Sequence, residues 1–385
     1  MAMKAILNGK ILLPDAQVMG KALLFNERIA GLVSEDEARA VADEVIDAQG
    51  AYISPGLIDV HTHGYWDADV SDADPDGVRR MAAGVLQNGV TSFLPTTLTV
   101  DWAILETVCR QLRELREESR RPDFIGSEIL GMHMEGPFIN PAHKGAQNEK
   151  YILRPDAEKV LPFQDIIKVL TFAPEMPGGM EFARILREKT NIALSMGHTG
   201  ATYEQAMEAI GLGVTRATHT FNAMTGLHHR SPGVVGAALN TDIYCELIGD
   251  TFHVNKGLYP MLTKVKGNKL VLITDSLRSA GMPDGEYENG GQVFILKGIE
   301  CRLRDGTIAG SVLHLNKGVK NLRDYGSLPM YAAVRAASLN AAESARVEDR
   351  KGSLTPGKDA DVILMDEDCN VLRVFVRGVS KFEKQ

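Results

Sequence analysis

Eight short apolar runs, at residues 57–62, 90–96, 128–134, 167–173, 192–197, 214–219, 244–249 and 270–274, dominate the middle of this chain. Amphipathic stretches separate several of them, at 76–87, 102–120, 179–189, 203–210 and 329–341. Runs of this length, set apart by helical patterns, read as buried parallel strands joined by crossovers. Asp74-Pro75 and Thr202 stand where helix N-caps are expected. Eight such units over residues 56–345 are what a (β/α)8 barrel requires; a doubly wound sheet is the other arrangement that alternation allows. The interval 276–327 is too long for one crossover. Its glycines predict a hairpin excursion near 284–291 and 304–310.

The two ends have another rhythm. Residues 5–7, 11–13, 22–25 and 29–33 are brief apolar runs broken by Asn8-Gly9, Pro14-Asp15 and Asn26-Glu27, so the first fifty residues read as strands rather than helices. Residues 361–365 and 371–376 look alike. The expected organisation is α/β: a barrel over 56–345, and a small β-domain assembled from 1–55 together with 346–385.

Composition limits the partners. Lys and Arg number 42 against 50 Asp and Glu, a formal charge of −8, so no basic field exists to hold nucleic acid or an anionic membrane. No apolar run reaches the roughly 18 residues that span a bilayer. The four cysteines, 109, 245, 301 and 369, are far apart, which argues against a disulfide framework or a thiolate metal site. A cytoplasmic protein is the default expectation. Neither a Gly-x-Gly-x-x-Gly turn after a strand nor a Walker sequence occurs, so nucleotide binding has no support.

Chemistry concentrates where the runs end. His61 and His63 close the first run, Glu135 the third, His198 the fifth, His219 the sixth and Asp275 the eighth. In an extended chain residues i and i+2 point to one side, so both imidazoles of His61-Thr62-His63 can face one ion. The C-terminal ends of barrel strands carry active sites. Any one of these residues has an ordinary structural explanation; six at five strand ends do not. Four histidines with two carboxylates form a nitrogen and oxygen donor set suited to Zn2+, Fe2+, Mn2+ or Co2+. His253 follows the seventh run and faces the same end. His228-His229-Arg230 is a local basic patch that fits either an anion site or a solvated loop.

On these residues the chain resembles the amidohydrolase superfamily and, within it, the N-acetylglucosamine-6-phosphate deacetylases. The resemblance is carried by residues 55–64, Gly131-Met132-His133-Met134-Glu135-Gly136-Pro137-Phe138, residues 195–199, His219-Thr220-Phe221-Asn222-Ala223-Met224, Arg230-Ser231-Pro232-Gly233, Leu272-Ile273-Thr274-Asp275-Ser276 and Gly357-Lys358-Asp359-Ala360-Asp361. It implies that the small domain is a β-sandwich and that the barrel bears metal. Glu135, His198 and His219 match the ligands of one ion. His61 and His63 match a pair that adds a second, with Glu135 bridging and Asp275 contributing, hence two divalent ions per chain. Asp275 further matches the catalytic acid and base. Ala146, Asn222, Ala223, Arg230 and His253 match groups that bind a sugar phosphate, with Arg230 reaching the neighbouring subunit's site in a homodimer. At Gln147 the chain departs from members that place a sugar-contacting histidine there. The activity implied is hydrolysis of the acetamide of N-acetyl-D-glucosamine 6-phosphate, in amino-sugar catabolism. The alternatives are the galacto epimer, another linear or cyclic amide, or a non-catalytic assembly protein; retention of all six metal-site residues counts against the last.

Overall fold

The computed structural model of the chain describes residues 2–384. Eight parallel strands form the barrel in chain order: Leu57–Thr62, Val90–Thr97, a third strand split into Glu128–Ile129 and Met132–Glu135, then Ile167–Phe172, Ala193–Met196, Val214–Ala217, Tyr244–Ile248 and Leu270–Ile273. The seam between the eighth and first strands is closed by Asp275 N donating to His61 O at 2.8 Å and His63 N donating to Ser276 O at 2.9 Å. Asp59 and Thr274 add a side-chain bond across the same seam. Ile58, Val60, Leu94, Val169, Ile248 and Val271, drawn from strands around the barrel, form one buried cluster. Helices cover the outside, and two begin on the expected caps. Asp74 accepts from Asp76 N ahead of Pro75, and Thr202 makes a reciprocal capping box with Gln205.

Strands from both termini share a six-stranded sheet in the order Val379–Glu383, Val371–Val376, Val362–Met365, Tyr52–Pro55, Lys10–Leu13, Ala16–Val18. A four-stranded sheet (Ile29–Val33, Ala22–Phe25, Lys4–Leu7, Glu44–Asp47) belongs to the N-terminal part alone. Ile6, Leu23, Phe25, Ile53, Val362 and Phe375 form a core common to the two, with Phe25 edge-on to Phe375 at 5.3 Å. Among the described residues no helix is long and apolar enough to cross a membrane.

Three elements differ from the sequence reading. The first fifty residues contain a helix, Glu35–Val41, nucleated by Ser34, whose hydroxyl accepts from Glu37 N, and by three acidic residues in the first turn that suit the helix dipole. The single helix expected over 329–341 is two, Met330–Ala336 and Leu339–Ser344, because Ser338 leaves helical backbone and its hydroxyl takes the Val334 carbonyl. The interval 276–327 holds a three-stranded sheet (Gly285–Asn289, Gln292–Lys297, Glu300–Leu303) where the hairpin was expected, but also a helix, Leu315–Gly326. Gly318 obscures that helix in the sequence. It is needed for close approach to the eighth strand, since a Cβ there would lie 3.1 Å from Leu272.

Barrel and small domain are joined by buried charge. Lys351 Nζ lies 2.7 Å from Glu128 of the third strand, 2.7 Å from Asp361 and 3.0 Å from Asp359, and Arg350 binds Glu128 and Asp359 beside it. Burial pushes the Glu128 carboxyl up, but Lys351 and Arg350 outweigh it and hold it at about 2. Removing one member of such a network strands its partners. Lys351→Met should therefore cost about 3–5 kcal/mol in urea denaturation. A loss under about 1 kcal/mol would show that the junction holds without this lysine.

Candidate metal centre

The strand ends deliver the six residues to one place. His61 lies in the first strand and His63 one residue past it, and their Nε2 atoms are 3.3 Å apart, as two-residue periodicity requires. Glu135 ends the third strand. His198, His219 and Asp275 each sit two residues beyond the fifth, sixth and eighth. All six are at least nine-tenths buried. Glu135 Oε1 lies 3.0 Å from His219 Nε2, 3.3 Å from His198 Nε2 and 3.4 Å from His61 Nε2, while its Oε2 is 3.4 Å from His63 Nε2. Asp275 Oδ1 is 3.1 Å from His63 Nε2 and 3.4 Å from His61 Nε2. These six residues make two donor groups, His61, His63 and Asp275, and Glu135, His198 and His219; a third, His61, His133 and Glu246, lies behind them. His198, His219 and Asp275 turn into the site with φ of +49°, +31° and +52°, a conformation that costs non-glycine residues about 1–3 kcal/mol each.

Protonation states follow from the outer hydrogen bonds. His63 Nδ1 donates to Thr96 O at 3.2 Å, His198 Nδ1 to His143 O at 3.0 Å and His61 Nδ1 to Glu246 Oε2 at 2.9 Å. In the neutral ring each of these bonds leaves the Nε2 lone pair free for a cation. The His61 and His63 Nε2 atoms, both so committed, nevertheless lie 3.3 Å apart. Lone pairs this close repel unless a cation sits between them, so the donor set and its tautomers fit a divalent ion. His219 Nδ1 is buried without a hydrogen-bond partner among the described residues.

The centre opens into a cavity of about 380 Å³. Ala146, Asn222, Ala223 and His253 line it together with His63, Glu135, His198, His219 and Asp275. His253 is fixed by Asp250, whose carboxylate accepts from its Nδ1 at 2.6 Å and from its backbone N at 2.9 Å. The inserted sheet contributes Asn289, Gln292, Phe294 and Leu303, and its turn is tied down by Asn148 Nδ2 donating to Gly290 O. Arg230 is not brought in. It lies exposed on its loop, donating to His229 Nε2 at 2.8 Å, and does not line the cavity of its own chain.

Three supporting residues escape the strand-end pattern. Gln147 donates from Nε2 to Glu135 Oε2 and accepts from Thr99 N at 2.7 Å, so it grips the carboxylate shared by four histidines. Glu246 and Arg216 lie inside strands beneath the centre. A charged residue in the run Tyr244-Cys245-Glu246-Leu247-Ile248 is the signal that marks Glu246, though its partners cannot be read from spacing.

Comparison with known proteins agrees with this geometry. Residues 52–380 match the amidohydrolase family. The chain belongs to the amidohydrolase family. It is 37% identical over 359 residues to the N-acetylglucosamine-6-phosphate deacetylase of Bacillus subtilis, covering 91% of this chain and 90% of that one. The N-acetylgalactosamine-6-phosphate deacetylase of Escherichia coli O157:H7 is 34% identical, over 91% and 93% of the two chains. The crystal structure of N-acetylglucosamine-6-phosphate deacetylase from Pasteurella multocida superposes with a TM-score of 0.92 at 30% identity, over 98% of this chain and 99% of the other.

For this amidohydrolase, stripping divalent ions should lower the melting temperature, and adding Zn2+ at a hundredfold excess over Kd should return about 2.7 kcal/mol. His198→Asn should blunt that recovery. A stripped chain whose melting is indifferent to Zn2+, Mn2+, Fe2+ and Co2+ would refute the metal reading.

Proposed function

We propose that the protein hydrolyses the acetamide of N-acetyl-D-glucosamine 6-phosphate to D-glucosamine 6-phosphate and acetate, acting in the cytoplasm with two divalent ions per chain. The observation that carries the reading is the pair of donor groups meeting at Glu135 on the floor of a cavity large enough for a phosphorylated sugar. Glu135, His198 and His219 would hold one ion, and His61, His63 and Asp275 the other, with Glu135 between. Divalent ions there supply Lewis acidity, which polarises a carbonyl and makes water nucleophilic at neutral pH.

The chain's own groups do the rest. Burial works to raise the Asp275 carboxyl, but the His61 and His63 imidazoles prevail and hold it below its ordinary value, so it stands ready as a base. Asp275 accepts the proton of the attacking water as the oxygen adds to the acetyl carbon. It then delivers that proton to the nitrogen as the carbon–nitrogen bond breaks, because an amine leaves poorly as an anion. Asn222, the Ala223 backbone, Ala146 and His253 orient the sugar phosphate. Arg230, exposed and outside its own cavity, completes the phosphate clamp of a partner subunit in a homodimer. The galacto epimer is the second reading, supported by the likeness to the galactosamine enzyme; kcat/KM on the two epimers decides between them.

Asp275→Asn should retain metal in elemental analysis yet lose about 10²–10⁴-fold in amine release from N-acetylglucosamine 6-phosphate. Near-native kcat would move the proton transfer to another group, and a native chain inactive on both epimers would sink the proposed reaction.

The acidic chain must attract phosphate by local charge, and an Arg–phosphate pair contributes about 1.5–3 kcal/mol. Arg230→Ala should accordingly raise KM by ten- to a hundredfold for the phosphorylated sugar while leaving the unphosphorylated one unchanged. Mixed with Asp275→Asn chains, it should regain activity through heterodimers. Failure to complement after verified subunit exchange would assign the arginine to its own chain.

A further inference from the structure

Beneath the ligand cluster lies a charged pair that the mechanism does not use. Glu246 in the seventh strand and Arg216 in the sixth are 1% and 0% exposed, and neither lines the cavity. Arg216 Nη2 donates to Glu246 Oε1 at 2.5 Å, and its Nη1 donates to Ser344 Oγ at 2.5 Å. An ion pair this deep loses hydration that its attraction scarcely returns, so stability alone is a poor account of it.

The other carboxylate oxygen supplies an account. Glu246 Oε2 accepts from His61 Nδ1 at 2.9 Å and from the main-chain N of His219 at 3.0 Å. A single oxygen thus touches one member of each donor group. His133 packs edge-on against His61, ring centroids 4.6 Å apart, and is itself held by Val60 O at 3.1 Å and Thr171 Oγ1 at 2.7 Å. His61 is therefore wedged as well as hydrogen-bonded. Thr171 continues into Thr218 and Ser195 through hydroxyl contacts of 2.7 and 2.6 Å, so the layer under the site is a polar network, in which Arg216 Nε has no partner among the described residues.

We propose that Glu246, braced by Arg216, is a positioning residue: it fixes His61 as the Nδ1–H tautomer, aims the Nε2 lone pair into the site, and sets His219 in register with it. The two halves of the cation site then form together rather than one at a time. The inference rests on the cation reading above. Replacing the carboxylate weakens cation binding without removing any ligand, an effect of about ten- to a hundredfold for groups that orient a ligating histidine.

Glu246→Gln alone leaves Arg216 charged and unpaired, so the test uses Arg216→Met/Glu246→Gln, which removes both charges at similar volume. Two measurements are made on the full chain. In 15N-histidine NMR of the stripped protein, the low-field Nδ1–H signal identified by its loss in His61→Asn should shift or vanish in the double variant. In equilibrium dialysis, Zn2+ affinity should fall ten- to a hundredfold while the melting temperature of the stripped protein stays close to native. An unmoved ring proton, or Zn2+ affinity equal to that of the native chain, overturns the proposal. If the double variant does not fold, Glu246→Asp withdraws the carboxylate by one methylene and is judged by the same two readouts. A native chain that binds no divalent ion would defeat the metal reading instead, and the ring proton alone would then decide the positioning role.

Discussion

A carboxylate cut off from water must find its compensation in the protein, and at Glu135 no lysine or arginine supplies it. Four imidazoles surround it, three against Oε1 and one against Oε2, each arriving from a strand end of a parallel barrel; Gln147 donates to Oε2, and a divalent ion held among the ring nitrogens would balance the charge. For three of the four rings the tautomer is decided by a partner behind it, Glu246 for His61, Thr96 for His63 and His143 for His198. The left-handed turns at His198, His219 and Asp275 belong to the same demand. Each is unfavourable locally, and each is held because the strands on either side fix where the chain must go.

Much of this is legible in the sequence for a simple reason. Strand periodicity places His61 and His63 on one side, and parallel strands put all their C-terminal ends on one face, so contact among six distant residues follows from topology alone. What lies behind them is harder to see. Glu246 sits mid-strand, where it reads as an interruption, and only the pairing of the sixth strand with the seventh brings Arg216 to it. Gln147 is in a loop, where spacing carries no directional information, yet it grips the central carboxylate. The helix at Glu35–Val41 is missed because seven residues leave too short a pattern to outweigh the strands around it, although Ser34 and the acids after it carry the cap.

The inserted sheet shows the limit of pattern in another way. Its turn glycines are plain in the sequence, but nothing in them says that Phe294 and Leu303 will wall the cavity or that Asn148 will pin the turn at Gly290. Part of the apolar wall is thus contributed by an element outside the barrel, beside Leu98, Phe221 and Leu277, while the charged side belongs to the barrel itself.

The shared six-stranded sheet also imposes an order on synthesis. Tyr52–Pro55 bonds to Lys10–Leu13 on one side and to Val362–Met365 on the other, with the whole barrel between them in the chain. Until Val362–Met365 leaves the ribosome, Tyr52–Pro55 remains an open sheet edge, and Ile53 and Phe25 await the Val362 and Phe375 that will cover them. Lys351, Asp359 and Asp361 arrive in the same late stretch, so Glu128 waits too. The small domain can close only once Val362–Met365 and Val371–Val376 have been made, long after the first strands of the barrel.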